Sequence, residues 1–495
     1  MSEAEVPTSE AEVPKKVRKV KRAKQQQAPE TQVVDESIDR TDDVSNLTQH
    51  GWIAGGVGSV AVLLLGFIGS RRNVLEQGWG LPIDVVPNKN TSAIFALVVI
   101  AALMFIVELG VRMRVEKNSI ISIPAEIREK RYVEFFISCV KIYLADLFLI
   151  FLFWQLYHTA GEYGFKRNSA AGYYQPWFLM MDPIFWGYVY AGLPYIMITR
   201  AFQHDPKADR KAPAFVVFKT LRHLEAWFTK KDRSTLEPFD KFDRTAILGL
   251  FVKAFFVPLM TVFFADQFSS LVKNYSFATG LIVGGTRKPT VRESYDCALS
   301  VIFAVDVGLA WAGYVLSSRW IKNGMVSVEP TVLGWAVALL CYPPFNRVPG
   351  FYFSNPGEHA FLALTYKPAI ILLASCSIAS FAVYTASTVM FGLHFSNLTH
   401  RGIIQTGPYS VVRHPAYASK NFSWWCVMFP YAIYQAVITP SADSFGLLGT
   451  HFVGLVSLTG LYYLRAITEE RHLSKDPEYQ DYMKRVPHRF IPGVL

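Results

Sequence analysis

Residues 92–111 read S-A-I-F-A-L-V-V-I-A-A-L-M-F-I-V-E-L-G-V, with a single charged side chain, Glu108, close to one end. At about 1.5 Å per residue a helix of about 20 such residues crosses the hydrocarbon core of a bilayer. Similar stretches recur at Trp52–Gly69, Val133–Tyr157, Pro183–Ile198, Thr245–Val272, Tyr295–Ser317, Val332–Phe345, Pro368–Met390, Ala418–Pro440 and Leu447–Ile467. In lipid each must be helical, because an open strand or loop leaves its backbone polar groups without partners. The sequence therefore predicts an all-α, polytopic integral membrane bundle with about ten transmembrane helices.

The bulk composition agrees. Of 495 residues, 51% are hydrophobic and only 18% charged, and the mean hydropathy is +0.23. Soluble domains carry roughly 25% charged residues. A soluble multi-domain enzyme and a disordered chain are excluded. The five cysteines, Cys139, Cys297, Cys341, Cys376 and Cys426, sit in apolar stretches with no Cys-x-x-Cys pair. They predict neither a disulfide framework nor a metal site.

Three regions follow from the pattern. Residues 1–50 have no apolar run and repeat Ser-Glu-Ala-Glu-Val-Pro at 2–7 and 9–14. They also hold the basic cluster Lys15, Lys16, Arg18, Lys19, Lys21, Arg22 and Lys24. Such a segment cannot bury enough apolar area to offset its ordering entropy, so a disordered tail is expected. Its natural partner is anionic lipid at the cytosolic face rather than nucleic acid. Residues 51–365 form an N-terminal multi-span region, and residues 366–495 hold nearly all the candidate chemistry.

Lys and Arg collect in 112–132, 199–244, 318–331, 391–417 and the C-terminus, which places those segments and both termini in the cytoplasm. In the 199–244 loop, Phe215, Val216, Phe218, Leu221, Leu224, Trp227 and Phe228 follow Pro213 at helical spacing, predicting an amphipathic helix on the membrane surface. Four acids fall within the spans: Glu108, Asp146, Asp266 and Asp306. A buried charge in lipid is costly, so an ion-path or transporter role stays open beside simple helix–helix locking.

The densest polar stretch is T-H-R-G-I-I-Q-T-G-P-Y-S-V-V-R-H-P-A-Y at 399–417. Gly407-Pro408 forces a turn, and Pro415 biases His414 away from the helical region. Arg413 can grip a carboxylate or phosphate, His414 can bond or carry a proton, and Tyr409 and Tyr417 offer rings and hydroxyls. The second cluster is Arg465, Glu469, Glu470, Arg471 and His472, followed by Tyr479, Tyr482 and V-P-H-R-F-I-P at 486–492. Adjacent carboxylates suit a sulfonium, an ammonium or ribose hydroxyls. An i,i+4 pair of Arg465 with Glu469 is the plain structural alternative.

R-H-P-A-Y before one span and E-E-R-H-L after the next resembles the isoprenylcysteine carboxyl methyltransferase and phospholipid methyltransferase superfamily, over about the last 100–130 residues. The resemblance implies an integral membrane enzyme using S-adenosylmethionine on a lipid or lipid-modified acceptor. It places Tyr409, His414, Pro415, Tyr417, Glu469 and Glu470 in the cofactor site, with Gly407 in the turn before it. Arg413 becomes the candidate to orient the acceptor, and Tyr482 and Arg489 a C-terminal cap. Many members carry glycine soon after the motif tyrosine, whereas this chain has Ala418, Ser419 and Lys420. Methyl transfer needs no protein nucleophile, only alignment and exclusion of water. An NADPH-dependent sterol or isoprenoid reductase, which shares R-H-P and V-P-x-R features, is the alternative enzyme. A non-enzymatic transporter or scaffold is the remaining class.

Overall fold

The computed structural model describes residues 48–80, 89–116, 121–164, 172–205, 210–229, 236–285, 287–346 and 359–494. Apart from residues 48–50, the expected disordered tail lies outside the described residues.

Twelve helices of eight residues or more carry the fold among the described residues. They are α1 (Gly51–Arg72), α2 (Lys89–Val115), α3 (Tyr132–Thr159), α4 (Gln175–Phe202), α5 (Pro213–Phe228) and α6 (Lys241–Gly284). The series continues with α7 (Val291–Val315), α8 (Val332–Leu339), α9 (Lys367–Phe391), α10 (Pro415–Ile438), α11 (Ala442–Leu473) and α12 (Pro477–Arg485). Their starts are written locally. Asp240 with Asp243, Thr290 with Glu293 and Ser441 with Ser444 each form a reciprocal capping box, and α5 and α10 open on Pro213 and Pro415.

Seven of these helices are long and apolar enough to cross a membrane: α1, α2, α3, α6, α7, α9 and α11. Helices α4 and α10, at 28 and 24 residues, have the length but carry more polar composition. Helix α4 runs unbroken through Pro183 and Pro194. The stretch expected to span at Val332–Phe345 differs: α8 has only eight residues, about 12 Å, before turns at 340–346. An apolar run is therefore not always a span.

The bundle packs α6 along α7, α7 along α9, α9 along α10 and α10 along α11, with α1 against α2 and α9. Where α1 meets α9 the backbones nearly touch. A Cβ built on Gly55 would lie 2.0 Å from the Val389 carbonyl oxygen, and one on Gly51 2.9 Å from that of Phe391. Small residues four apart permit this approach, as in other membrane helix pairs.

Hydrogen bonds also tie together every segment rich in Lys and Arg. Ser122 N donates to the Phe202 carbonyl at 2.9 Å, joining 112–132 to 199–244. Arg112 Nη1 donates to the carbonyls of Arg319 and Trp320, both at 2.6 Å. The 318–331 segment pairs with 391–417 through a two-residue antiparallel ribbon, β1 (Ser327–Val328) on β2 (Thr399–His400). Ser327 Oγ lies 3.1 Å from His472 Nε2, bringing in the end of α11. These five segments therefore share one end of the bundle.

Candidate active site

The irregular stretch 392–414 threads across that shared end. Gly392 sits at φ +51°, Gly402 at +115° and Gly407 at +61°, and helix begins again only at Pro415. His400, fully buried, fixes the strand: its Nδ1 accepts from Gly402 N at 3.0 Å and its Nε2 faces Asp476 Oδ2 at 2.8 Å. Asp476 also caps α12 by accepting from Glu478 N at 2.9 Å. Thr48 packs against Gly402, and Gln49 Nε2 donates to the Ile403 carbonyl at 2.8 Å, so the entry to α1 braces the same loop.

Beyond α12 the chain folds back over this loop. Arg413 N donates to the His488 carbonyl and His414 N to that of Arg489, each at 2.9 Å. Arg413 Nη1 donates to the carbonyls of Val486 and Pro487 at 2.8 and 2.7 Å, and Arg413 Nε to Glu470 Oε1 at 2.8 Å. Glu470 Oε1 also lies 3.2 Å from His414 Nε2, and Oε2 accepts from Arg489 Nε at 2.8 Å. That bond holds the Arg489 guanidinium above its usual range. Tyr482 donates to the Tyr409 carbonyl at 2.6 Å. Burial pushes the hydroxyls of both Tyr409 and Tyr482 well up, so they remain protonated donors.

Glu469 has a different environment. Its side chain is 31% exposed, against 7% for Glu470, and it borders a cavity of about 190 Å³ between α8, α9, α10, α11 and the loop. Tyr417 donates to Glu469 Oε1. The Tyr417 ring is sandwiched between His414, at 5.6 Å and 4°, and Tyr462, at 5.7 Å and 18°. His414 Nδ1 approaches Glu469 Oε2 at 3.8 Å, so the imidazole stands between the two carboxylates.

Tyr409, Arg413, His414, Tyr417 and Glu469 thus border one cavity. Pro415 begins α10 beside it, while Glu470 lies behind the wall, its oxygens filled by Arg413, His414 and Arg489. Arg413, expected to orient an acceptor, directs Nε and Nη1 into this clamp instead of leaving them free.

The cavity face of α11 carries Tyr462, Arg465, Glu469 and His472, a spacing of three, four and three residues. That stripe was readable in the sequence, but Arg465 was weighed there only as the i,i+4 partner of Glu469. The pair is loose at 3.8 Å. Arg465 Nη2 donates instead to Asn397 Oδ1 at 3.0 Å, its guanidinium sits 4.8 Å over the Tyr417 ring, and its buried Nε has no partner. Asn397 Nδ2 in turn donates to the hydroxyls of Tyr314 and Tyr342, at 2.7 and 3.0 Å.

The four intramembrane acids do not converge on this site. Asp146 accepts from Tyr188 at 3.3 Å, Asp266 lies 3.8 Å from Lys89, and Asp306 accepts from Thr388 at 2.5 Å. Glu108 is buried 4.0 Å from His394, which borders the cavity. The chain matches no protein-family model, no curated protein and no solved structure.

Proposed function

We propose that this chain is an integral membrane methyltransferase that uses S-adenosylmethionine to methylate a lipid or lipid-modified acceptor. The supporting observation is one half-exposed carboxylate, Glu469, set on the cavity wall beside the stacked rings of His414, Tyr417 and Tyr462. A carboxylate with aromatic faces suits a compact cation carrying a flat base: charge complementarity serves the first and stacking the second. In this reading α4 and α10 also cross the bilayer, giving nine spans, and the shared loop end with the cavity faces the cytoplasm.

S-adenosylmethionine, when bound, supplies a methyl group activated on a sulfonium sulfur. Glu469 holds its cationic amino-acid part or its ribose hydroxyls, and Tyr417, hydrogen-bonded to Glu469, keeps that carboxylate aimed inward. The Arg413–Glu470–Arg489 clamp holds the C-terminal tail over the site and keeps water out. No protein nucleophile is required, and positioning provides most of the acceleration.

The purified protein is expected to bind S-adenosylmethionine and not NADPH in isothermal titration. Glu469→Gln should weaken that binding about tenfold, near 1.4 kcal/mol, while the unfolding midpoint stays close to wild type because the residue is partly exposed. Binding of NADPH alone would transfer the assignment to the reductase reading. Binding of neither would leave a non-enzymatic membrane protein.

A further inference from the structure

The cavity extends past the motif residues toward the middle of the helices, and its character changes there. Lys420 borders it, on α10 one turn beyond Tyr417 and about 7 Å along the axis from Pro415. A lysine at this depth is costly unless something compensates its charge. Among the described residues Lys420 makes no hydrogen bond and no ion pair; its ammonium rests 5.0 Å over the Tyr384 ring. Asp306 is within electrostatic reach but is engaged by Thr388. Across the cavity Arg465, 5% exposed, leaves its buried Nε unpartnered. The charges of Lys420 and Arg465 both reach the buried Tyr342 hydroxyl, so the two cations converge on one region. His394, 3% exposed on the same cavity, has neither ring nitrogen bonded.

Two cations with free donors, buried in one cavity among tyrosine hydroxyls, describe an empty place for a negative oxygen group. It lies on the membrane side of Tyr417, while Glu469 and the loop lie toward the opposite end. We propose that Lys420 and Arg465 form an oxyanion subsite for the phosphate or carboxylate of an acidic lipid, which makes the acceptor an anionic lipid. The assignment rests on reading this cavity as the acceptor site of a membrane methyltransferase. Arg465 is tied into Asn397 and the Tyr417 ring, so Lys420 is the residue to vary.

The test is retention of lipid by the full-length protein in phosphatidylcholine nanodiscs, read by native mass spectrometry without cofactor. The probes are phosphatidic acid, an N-acyl amino acid and neutral diacylglycerol. Wild type is expected to retain one or both acidic probes at least tenfold over diacylglycerol. Lys420→Gln should lose that preference and Lys420→Arg should keep it. Equal retention by Lys420→Gln overturns the proposal. Inorganic phosphate should not displace the lipid; if it does, the subsite takes a soluble anion and the lipid assignment falls. S-adenosylmethionine and 5′-methylthioadenosine affinities are measured in parallel. If Lys420→Gln weakens only the former, which alone carries a carboxylate, the cations serve the cofactor and the proposal is overturned. Acidic-lipid preference without any S-adenosylmethionine binding would sink the methyltransferase reading and leave the subsite standing.

Discussion

Glu470→Ala is expected to destabilise the protein by about 3–5 kcal/mol and to abolish cofactor binding. Removing this carboxylate strands the buried Arg413 guanidinium, frees His414 Nε2, and cuts the Arg489 contact that holds the tail down. An uncompensated buried charge costs far more than the net worth of the pair it came from. Two readouts separate this from an ordinary binding defect. The unfolding midpoint in detergent should fall clearly, and trypsin should reach Arg485 and Arg489 in the folded protein much faster than in wild type. The neighbouring Glu469→Gln should change neither. If both variants lose cofactor affinity with the same unchanged midpoint, the division between a clamping and a cavity-facing carboxylate is wrong.

Gly392→Ala is expected to cost about 3 kcal/mol, although it adds a single methyl group. Gly392 lies at φ +51°, ψ −125°, a conformation that residues with a Cβ rarely adopt. A Cβ there would also lie 2.2 Å from the Gly51 carbonyl oxygen. That obstacle is backbone, with no rotamer to yield, so α1 and α9 must separate locally. The loop running from Gly392 to the cavity residues His394 and Asn397 would move with them. Thermal unfolding followed by size-exclusion chromatography should show a lower midpoint. A midpoint unchanged from wild type would mean that α1 and α9 do not pack this closely in the membrane.

Much of the fold is legible in the sequence because lipid imposes a single rule on apolar runs. Ser92–Val111 lies within α2, Val133–Tyr157 within α3 and Leu447–Ile467 within α11. The exception, Val332–Phe345, shows the limit of that rule: hydropathy reports what surrounds a segment, not whether it stays helical for 30 Å. Here helix gives way to turns ahead of Pro343-Pro344. The amphipathic segment after Pro213 was readable for the same local reason, and it forms α5.

The site divides the same way. Gly407-Pro408 and His414-Pro415 announce an irregular loop ending at a helix start, and the structure has that form. The separate roles of Glu469 and Glu470 were not readable. Adjacent helical residues point about 100° apart, and which one meets the cavity depends on where the tail at 486–489 returns. The unpaired state of Lys420 was hidden for a related reason. Its surroundings come from Tyr384, Thr388 and Asp306 on helices far away in sequence.

The clamp between Arg413 and residues 486–489 also sets an order of events during synthesis. Arg413 leaves the ribosome some 70 residues before the carbonyls that complete its hydrogen bonds, and α10 and α11 must be inserted in between. Until Arg489 docks, one Glu470 oxygen lacks its partner and the cavity has no cover. The nascent protein therefore passes through a stage in which its helices are in the bilayer but its cavity is still open. Closure of the tail is the last step by which the chain becomes competent to hold a ligand.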